Sequence, residues 1–177
     1  MASKPLLVTE RFRVEEVHQS LADGGTRTRA VVRHPGAVTI IPMVDSEHVC
    51  LIRNHRVSVQ ETLIELPAGT LEPPELPEAT AYRELIEETG YRAQQLRSLH
   101  EFYLSPGILD ERMHLFLAEE LEFVGAQREP GEVIENLIVS WREAIKLVHD
   151  GVIQDAKTIV GLLMYDAILK RIPFVDS

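Results

Sequence analysis

Cysteine is almost missing from this chain: Cys50 is the only one among 177 residues. A single thiol excludes an intrachain disulfide and any cysteine-rich zinc site, and its setting, Val49-Cys50-Leu51-Ile52, reads as a small core residue. Long uncharged apolar runs are missing too, so no membrane-spanning helix is expected. The opening Met1-Ala-Ser-Lys-Pro-Leu-Leu-Val8 lacks the apolar stretch of a secretion signal, and together these absences point to the cytoplasm. Positive charge is scarce, with 18 Lys and Arg against 28 Asp and Glu and a net charge of −10. No basic stripe appears, so neither nucleic acid nor an anionic membrane is an expected partner. The seven histidines show no metal-ligand spacing with cysteine, and Gly24-Gly25-Thr26 lacks the lysine and serine that a Walker loop needs. Trp141, the lone tryptophan, precedes a helical stretch and reads as packing.

What is present suits one domain over residues 1–177. Apolar residues make up 45% of the chain, and a chain of this length buries roughly 70% of its unfolded surface. There are no repeats, low-complexity tracts or linkers. Phe12–Val17 and Thr26–Arg33 flank Asp23-Gly24-Gly25, a hairpin signal. Ala37–Val44 and His48–Arg53 read as a second hairpin joined through Asp45-Ser46-Glu47. Further strands are expected over Leu63–Leu66, Ser98–Tyr103, Arg112–Ala118 and Val133–Ser140. Two closing helices are expected over Arg142–His149 and Ala156–Lys170. Asp155 caps the second, which carries Ile159, Leu162, Leu163 and Ile168 at apolar positions.

The most informative stretch runs Gly69-Thr-Leu-Glu-Pro-Pro-Glu75-Leu-Pro77-Glu-Ala-Thr-Ala-Tyr-Arg83-Glu84-Leu-Ile-Glu87-Glu88-Thr-Gly90-Tyr91. Residues from Pro77 to Thr89 are good helix formers, with the proline suited to the first turn and Gly90 to the stop. Glu84, Glu87 and Glu88 follow i, i+3, i+4 spacing and so share a helix face. Three carboxylates there repel one another and sit at the end of the helix where the macrodipole disfavours negative charge. Arg83 is the only basic residue between Arg56 and Arg92. The plain reading is a solvated acidic face; the functional one is a seat for a hard cation with oxygen ligands. All seven fixed positions of the pattern G-x5-E-x7-R-E-U-x-E-E-x-G-U, with U a bulky apolar residue, are filled, a chance match below about one in ten million. The chain therefore resembles the Nudix hydrolases.

That resemblance implies an α/β fold, an α/β/α sandwich with a mixed central sheet and an N-terminal β-hairpin region. It implies magnesium-dependent hydrolysis, with manganese as a substitute, of a nucleoside diphosphate joined to another group. Glu84 and Glu88 are the implied principal metal ligands, with Glu87 a further ligand or electrostatic partner and the backbone carbonyl of Ala68 another donor. Arg83 resembles the residue that holds the glutamates by charge-assisted hydrogen bonds. Glu75 matches a structural position, and Gly69 supplies either a special backbone conformation or a close approach. Pro73-Pro74 depart from the Pro-Gly common in relatives. A bound divalent ion also reconciles an acidic protein with an anionic substrate.

Three flanks resemble the ADP-ribose pyrophosphatase branch: Glu65-Leu-Pro-Ala-Gly69, Phe102-Tyr103-Leu-Ser-Pro106-Gly107-Ile-Leu-Asp-Glu111, and Leu51-Ile-Arg53-Asn54-His-Arg56, in which Asn54 replaces the usual Gln. The branch implies hydrolysis of ADP-ribose to AMP and ribose 5-phosphate. Another nucleotide sugar such as GDP-mannose, or a non-catalytic ligand-binding module, is the alternative. Arg56 is the expected phosphate clamp; Arg53 either shares that work or faces solvent. Glu65, Pro106, Gly107 and Glu111 are further candidate substrate residues, and Phe12, Phe102 and Tyr103 candidate stackers on adenine. The base is expected on the loop Arg128–Glu135, with Glu132 first, then Glu135 and Glu129. The branch also implies a homodimer in which N-terminal strands, about residues 8–34, help build the partner's adenosine site.

Overall fold

The computed structural model describes residues 4–128 and 133–169. Strands β1 (Lys4–Val8), β2 (Arg13–Ser20) and β3 (Thr26–Arg33) form an antiparallel sheet in that order. The expected hairpin is there: Gly24 sits at φ 82° and Gly25 N–H donates to Asp23 Oδ1 at 2.9 Å. β1 was not expected, because Lys4–Val8 is exposed throughout and shows no alternation.

Two further sheets build the body. One has the order β7-β4-β9-β8, from β7 (Ala68–Thr70), β4 (Ala37–Pro42), β9 (Arg112–Phe123) and β8 (Tyr91–Tyr103). β4 and β9 run parallel, so the sheet is mixed. The other has the order β10-β5-β6, from β10 (Ile134–Ser140), β5 (His48–Arg56) and β6 (Glu61–Glu65), all antiparallel. The second hairpin expected from the sequence is therefore corrected: β4 and β5 belong to different sheets. Only the bridge Met43–Val49 and the bond from Val44 N–H to His48 O join their ends. β4 is buried along its whole length and β5 over Val49–Ile52, so each lies inside its sheet with a strand on either side, and those neighbours come from elsewhere.

The helices cover the sheets. Helix α1 (Pro77–Glu84) packs its Ala81 with Val38, Ile40, Leu85, Phe116 and Ala118 on one face of the mixed sheet. On the other face Ile41, Leu115 and Leu117 meet Val49, Leu51 and Leu66, with Ala144 and Ile145 of α2 (Trp141–His149) and Leu162 and Tyr165 of α3 (Ala156–Leu169). This is the sandwich that the resemblance implies. Asp155 accepts from Thr158 N–H at 3.0 Å, as a cap should. α3 buries Thr158, Gly161, Leu162 and Tyr165, while Leu163 and Ile168 are exposed. That helix is apolar on nearly every side, so apolar identity did not mark its inner face.

α1 does not end as an α-helix. Leu85–Thr89 form a π-helical turn, closed by Gly90 at φ 78°. The wider turn alters the rotation between Glu84, Glu87 and Glu88 that regular i, i+3, i+4 spacing predicts, and such turns occur often at functional sites.

Candidate functional site

The chain leaves β6 at Glu65, turns through Leu66–Pro67 and enters β7, where Ala68 and Gly69 pair with Thr39 and Val38 of β4. α1 then crosses back so that Glu84 lies against Gly69. A Cβ built on Gly69 would run into the Glu84 carboxyl group, so close approach, and not special backbone geometry, requires the glycine. Glu88 is 4% exposed and accepts from Ala68 N–H at 2.9 Å.

Arg83 organises the acids. Its Nη1 donates to Glu84 Oε1 at 2.7 Å and Glu87 Oε2 at 2.9 Å; its Nε and Nη2 reach Glu75 at 3.3 and 3.1 Å. Burial works against the Arg83 charge, but the Glu75 hydrogen bond and the charge and bonds of Glu84 and Glu87 outweigh it and raise its pKa. In return Arg83 holds the Glu75 carboxyl below the usual carboxylate range, helped by the Thr80 hydroxyl. The carbonyls of the π turn are capped from outside. Glu87 O accepts from Gln127 N–H at 3.1 Å, Glu88 O from Arg128 Nε at 3.2 Å and Thr89 O from Asn136 Nδ2 at 2.7 Å. Arg128 Nη2 also donates to Asn136 Oδ1 at 3.1 Å, which ties the two caps together.

Arg83, Glu84, Glu87 and Glu88 line a cleft of about 830 Å³. One wall carries Ala68, Gly69, Arg83, Glu84, Glu87 and Glu88, with Asn54 and Arg56 beside them. The facing rim comes from the N-terminal sheet and carries Arg11, Phe12, Arg13 and Arg33. Arg33 Nη1 donates to Asp110 Oδ2 at 2.9 Å and its Nε to Glu15 Oε2 at 3.0 Å, bonds that raise its pKa. The rim arginines are thus interleaved with acids: Glu10 and Asp110 share the lining, and Arg13 and Arg33 are both paired to Glu15. Such a volume admits a nucleotide-sized ligand.

Of the residues singled out in the sequence, Arg56, Ala68, Arg83, Glu84, Glu87 and Glu88 come together in this cleft. Glu65 stands behind it: the side chain is fully buried, with Oε1 accepting from Arg56 Nε at 2.7 Å and Oε2 from Arg56 Nη2 at 2.6 Å. Its link to the cleft is Arg56. Arg53 is exposed and lies outside the cleft lining, because side chains alternate along β5 and Asn54 and Arg56 take the inward positions. Pro106 and Gly107 are exposed on the loop before β9, outside the lining. Glu111 also stands outside, with His34 Nδ1 3.6 Å from its carboxylate. Glu135 is exposed on β10, in register with Arg53. Glu129 and Glu132 lie outside the described residues. Phe12 is at the rim, 39% exposed, whereas Phe102 packs partly into the core. The sequence reading missed Arg11, Arg13, Arg33 and Asp110. Only the clustering of arginines in the first strands of an acidic chain hinted at the first three.

The carboxylate oxygens of Glu84, Glu87 and Glu88 are donors that suit a hard divalent cation. Among the described residues no three Asp, Glu, His or Cys side chains stand close enough to enclose an ion unaided. Magnesium is usually held by one or two carboxylates and completed by waters and substrate phosphates, so a partial protein set fits an ion that shares its shell with a diphosphate.

Comparison with known proteins agrees with this geometry. The NUDIX domain profile matches residues 33–160. An ADP-ribose pyrophosphatase of Bacillus subtilis (strain 168) is 43% identical over 147 residues, 82% of this chain and 78% of its own. A GDP-mannose pyrophosphatase of Cronobacter sakazakii (strain ATCC BAA-894) is 38% identical over 149 residues, 75% of this chain and 78% of its own. A crystal structure of an ADP compounds hydrolase superposes with a TM-score of 0.84 at 23% identity, covering 97% of this chain and 93% of that one, and bears on the fold alone.

Proposed function

Since the chain belongs to the NUDIX family, we propose that it hydrolyses the pyrophosphate bond of ADP-ribose to AMP and ribose 5-phosphate with a divalent cation, magnesium or in its place manganese. The observation that carries this reading is the meeting of Glu84, Glu87, Glu88 and Arg56 in one cleft, together with 43% identity to an ADP-ribose pyrophosphatase. Glu84 and Glu88 would hold the cation with the Ala68 carbonyl, and Glu87 would join them or balance Arg83. A bound divalent cation supplies Lewis-acid polarisation of phosphoryl oxygens and an acidified water. The protein's own work is positional. Arg83 fixes the carboxylates, Arg56 meets phosphate oxygens with its guanidinium, and a carboxylate of the 128–135 segment takes the proton, Glu132 first and Glu135 next. Arg11 at the rim suits the far phosphate, and Phe12 the base.

A panel of ADP-ribose, GDP-mannose and other ADP-sugars, with and without magnesium, tests the reading. ADP-ribose should lead in kcat/KM. A lead by GDP-mannose would move the assignment to the reading that the 38% identical relative favours. Glu88→Gln should lower kcat at least about 100-fold, since a lost ligand removes several kcal/mol of transition-state stabilisation; unchanged turnover would reject the ligand assignment.

The finer expectations of a homodimer and of cytoplasmic location stand as part of the same proposal. Exposed Leu6, Leu7 and Val8 on β1 favour self-association through the N-terminal sheet. Light scattering across a concentration series tests it, and a monomer at every concentration would remove it. No helix among the described residues is long and apolar enough to cross a membrane.

A further inference from the structure

Lys157 is 8% exposed in its side chain, an uncommon place for an ammonium group. Its Nζ donates to Glu65 Oε2 at 2.5 Å and lies 2.9 Å from Asp155 Oδ2. The same Asp155 oxygen accepts from Thr158 Oγ1 at 2.5 Å, and Thr158 Oγ1 accepts from Leu66 N–H at 2.8 Å. The start of α3 is thus bolted to the strand that leads into the metal-binding segment.

Glu65 already has both oxygens bonded by Arg56, so Lys157 is not needed to satisfy hydrogen bonds. Its charge matters when substrate arrives. Arg56 commits Nε and Nη2 to Glu65, and its Nη1 has no hydrogen-bond partner among the described residues. A phosphate that took this edge would compete with Glu65 for one guanidinium, and the buried carboxylate would repel the incoming anion. A second cation on Glu65 removes both problems. Arg56 and Lys157 balance Glu65 and Asp155 before substrate binds, so Arg56 can offer its third nitrogen without leaving Glu65 uncompensated.

We propose that Lys157 is a positioning residue for phosphate capture: it anchors Glu65, which fixes the Arg56 fork with one edge toward the diphosphate. This rests on the reading of Arg56 as the phosphate grip. The test is steady-state kinetics on ADP-ribose with magnesium, using the full chain with Lys157→Met, Lys157→Gln, Lys157→Arg, Arg56→Ala and the Arg56→Ala/Lys157→Met pair. Lys157→Met should raise KM roughly 10-fold to 100-fold, the scale of an ångström's misplacement of a binding group, and change kcat by less than about threefold. Lys157→Arg should return KM to near the parent value, and Lys157→Met should add nothing once Arg56 is alanine. Lys157→Gln keeps a donor to Glu65 without the charge and carries the same expectation if the methionine variant does not fold. Unchanged KM, or a fall in kcat at constant KM, overturns the proposal. So does loss of fold in both uncharged variants, which would make Lys157 a structural anchor. Full additivity in the pair, with Arg56→Ala itself raising KM, overturns this inference alone. An Arg56→Ala enzyme with unchanged KM removes the grip reading and this inference together.

Discussion

At the scale of single residues the site depends on contacts that tolerate no substitute. Gly69→Ala would place a methyl group into the Glu84 carboxyl group. The expected outcome is a loss of about 1–3 kcal/mol in urea unfolding, together with a marked fall in kcat as Glu84 is displaced. Glu75 gives a pH signature. Arg83, with the Thr80 hydroxyl, holds its carboxyl below the usual range. A depressed folded pKa contributes stability that is fully present above the unfolded value and is lost as pH falls through the folded one. The stability gap between the parent and Glu75→Gln should therefore hold steady above pH ~5 and narrow below pH ~4, near the carboxylate reference value; a gap that widens in acid would contradict the ion pair. These residues were legible in the sequence because the 69–91 segment carries nearly all its own partners. Lys157 was not, since its carboxylate lies 92 residues away in the chain and nothing local marks a lysine as buried.

Among the elements, the π turn and the crossing from β4 to β5 were hidden for different reasons. Regular helix spacing was assumed through Thr89, yet the last turn is widened and its carbonyls are taken by Gln127, Arg128 and Asn136, on segments that enter from elsewhere. Alternation and apolar runs identify a strand but not its neighbour, so β4 and β5 looked like a hairpin when each pairs with other strands. Asn136→Ala tests the importance of the outside caps. It strips a donor from Thr89 O and a partner from Arg128, and should cost about 1–3 kcal/mol in unfolding free energy. It should also weaken kcat, because Glu88 sits in the turn that Asn136 and Arg128 hold. Loss of stability with activity intact would separate the cap from the site.

For the molecule as a whole, a net charge of −10 and a wall of glutamates mean that cations should stabilise the fold. At a divalent ion concentration 100 times Kd the gain is about 2.7 kcal/mol, worth roughly 2–4 °C in Tm per kcal/mol for a chain of this size. Magnesium should raise Tm in a melting experiment, sodium at equal ionic strength should not, and Glu84→Gln with Glu88→Gln should abolish the difference. The sandwich itself was legible from the family pattern, whereas the N-terminal sheet's place at the rim of the cleft was not, because nothing within residues 4–34 names the surface it faces. The distance between Glu65 and Lys157 along the chain also governs when the enzyme comes into being. A ribosome must deliver α3 before Glu65 can meet Lys157 and Leu66 can meet Thr158, so a product truncated after β10 would display every residue of the 69–91 segment and still lack both ties.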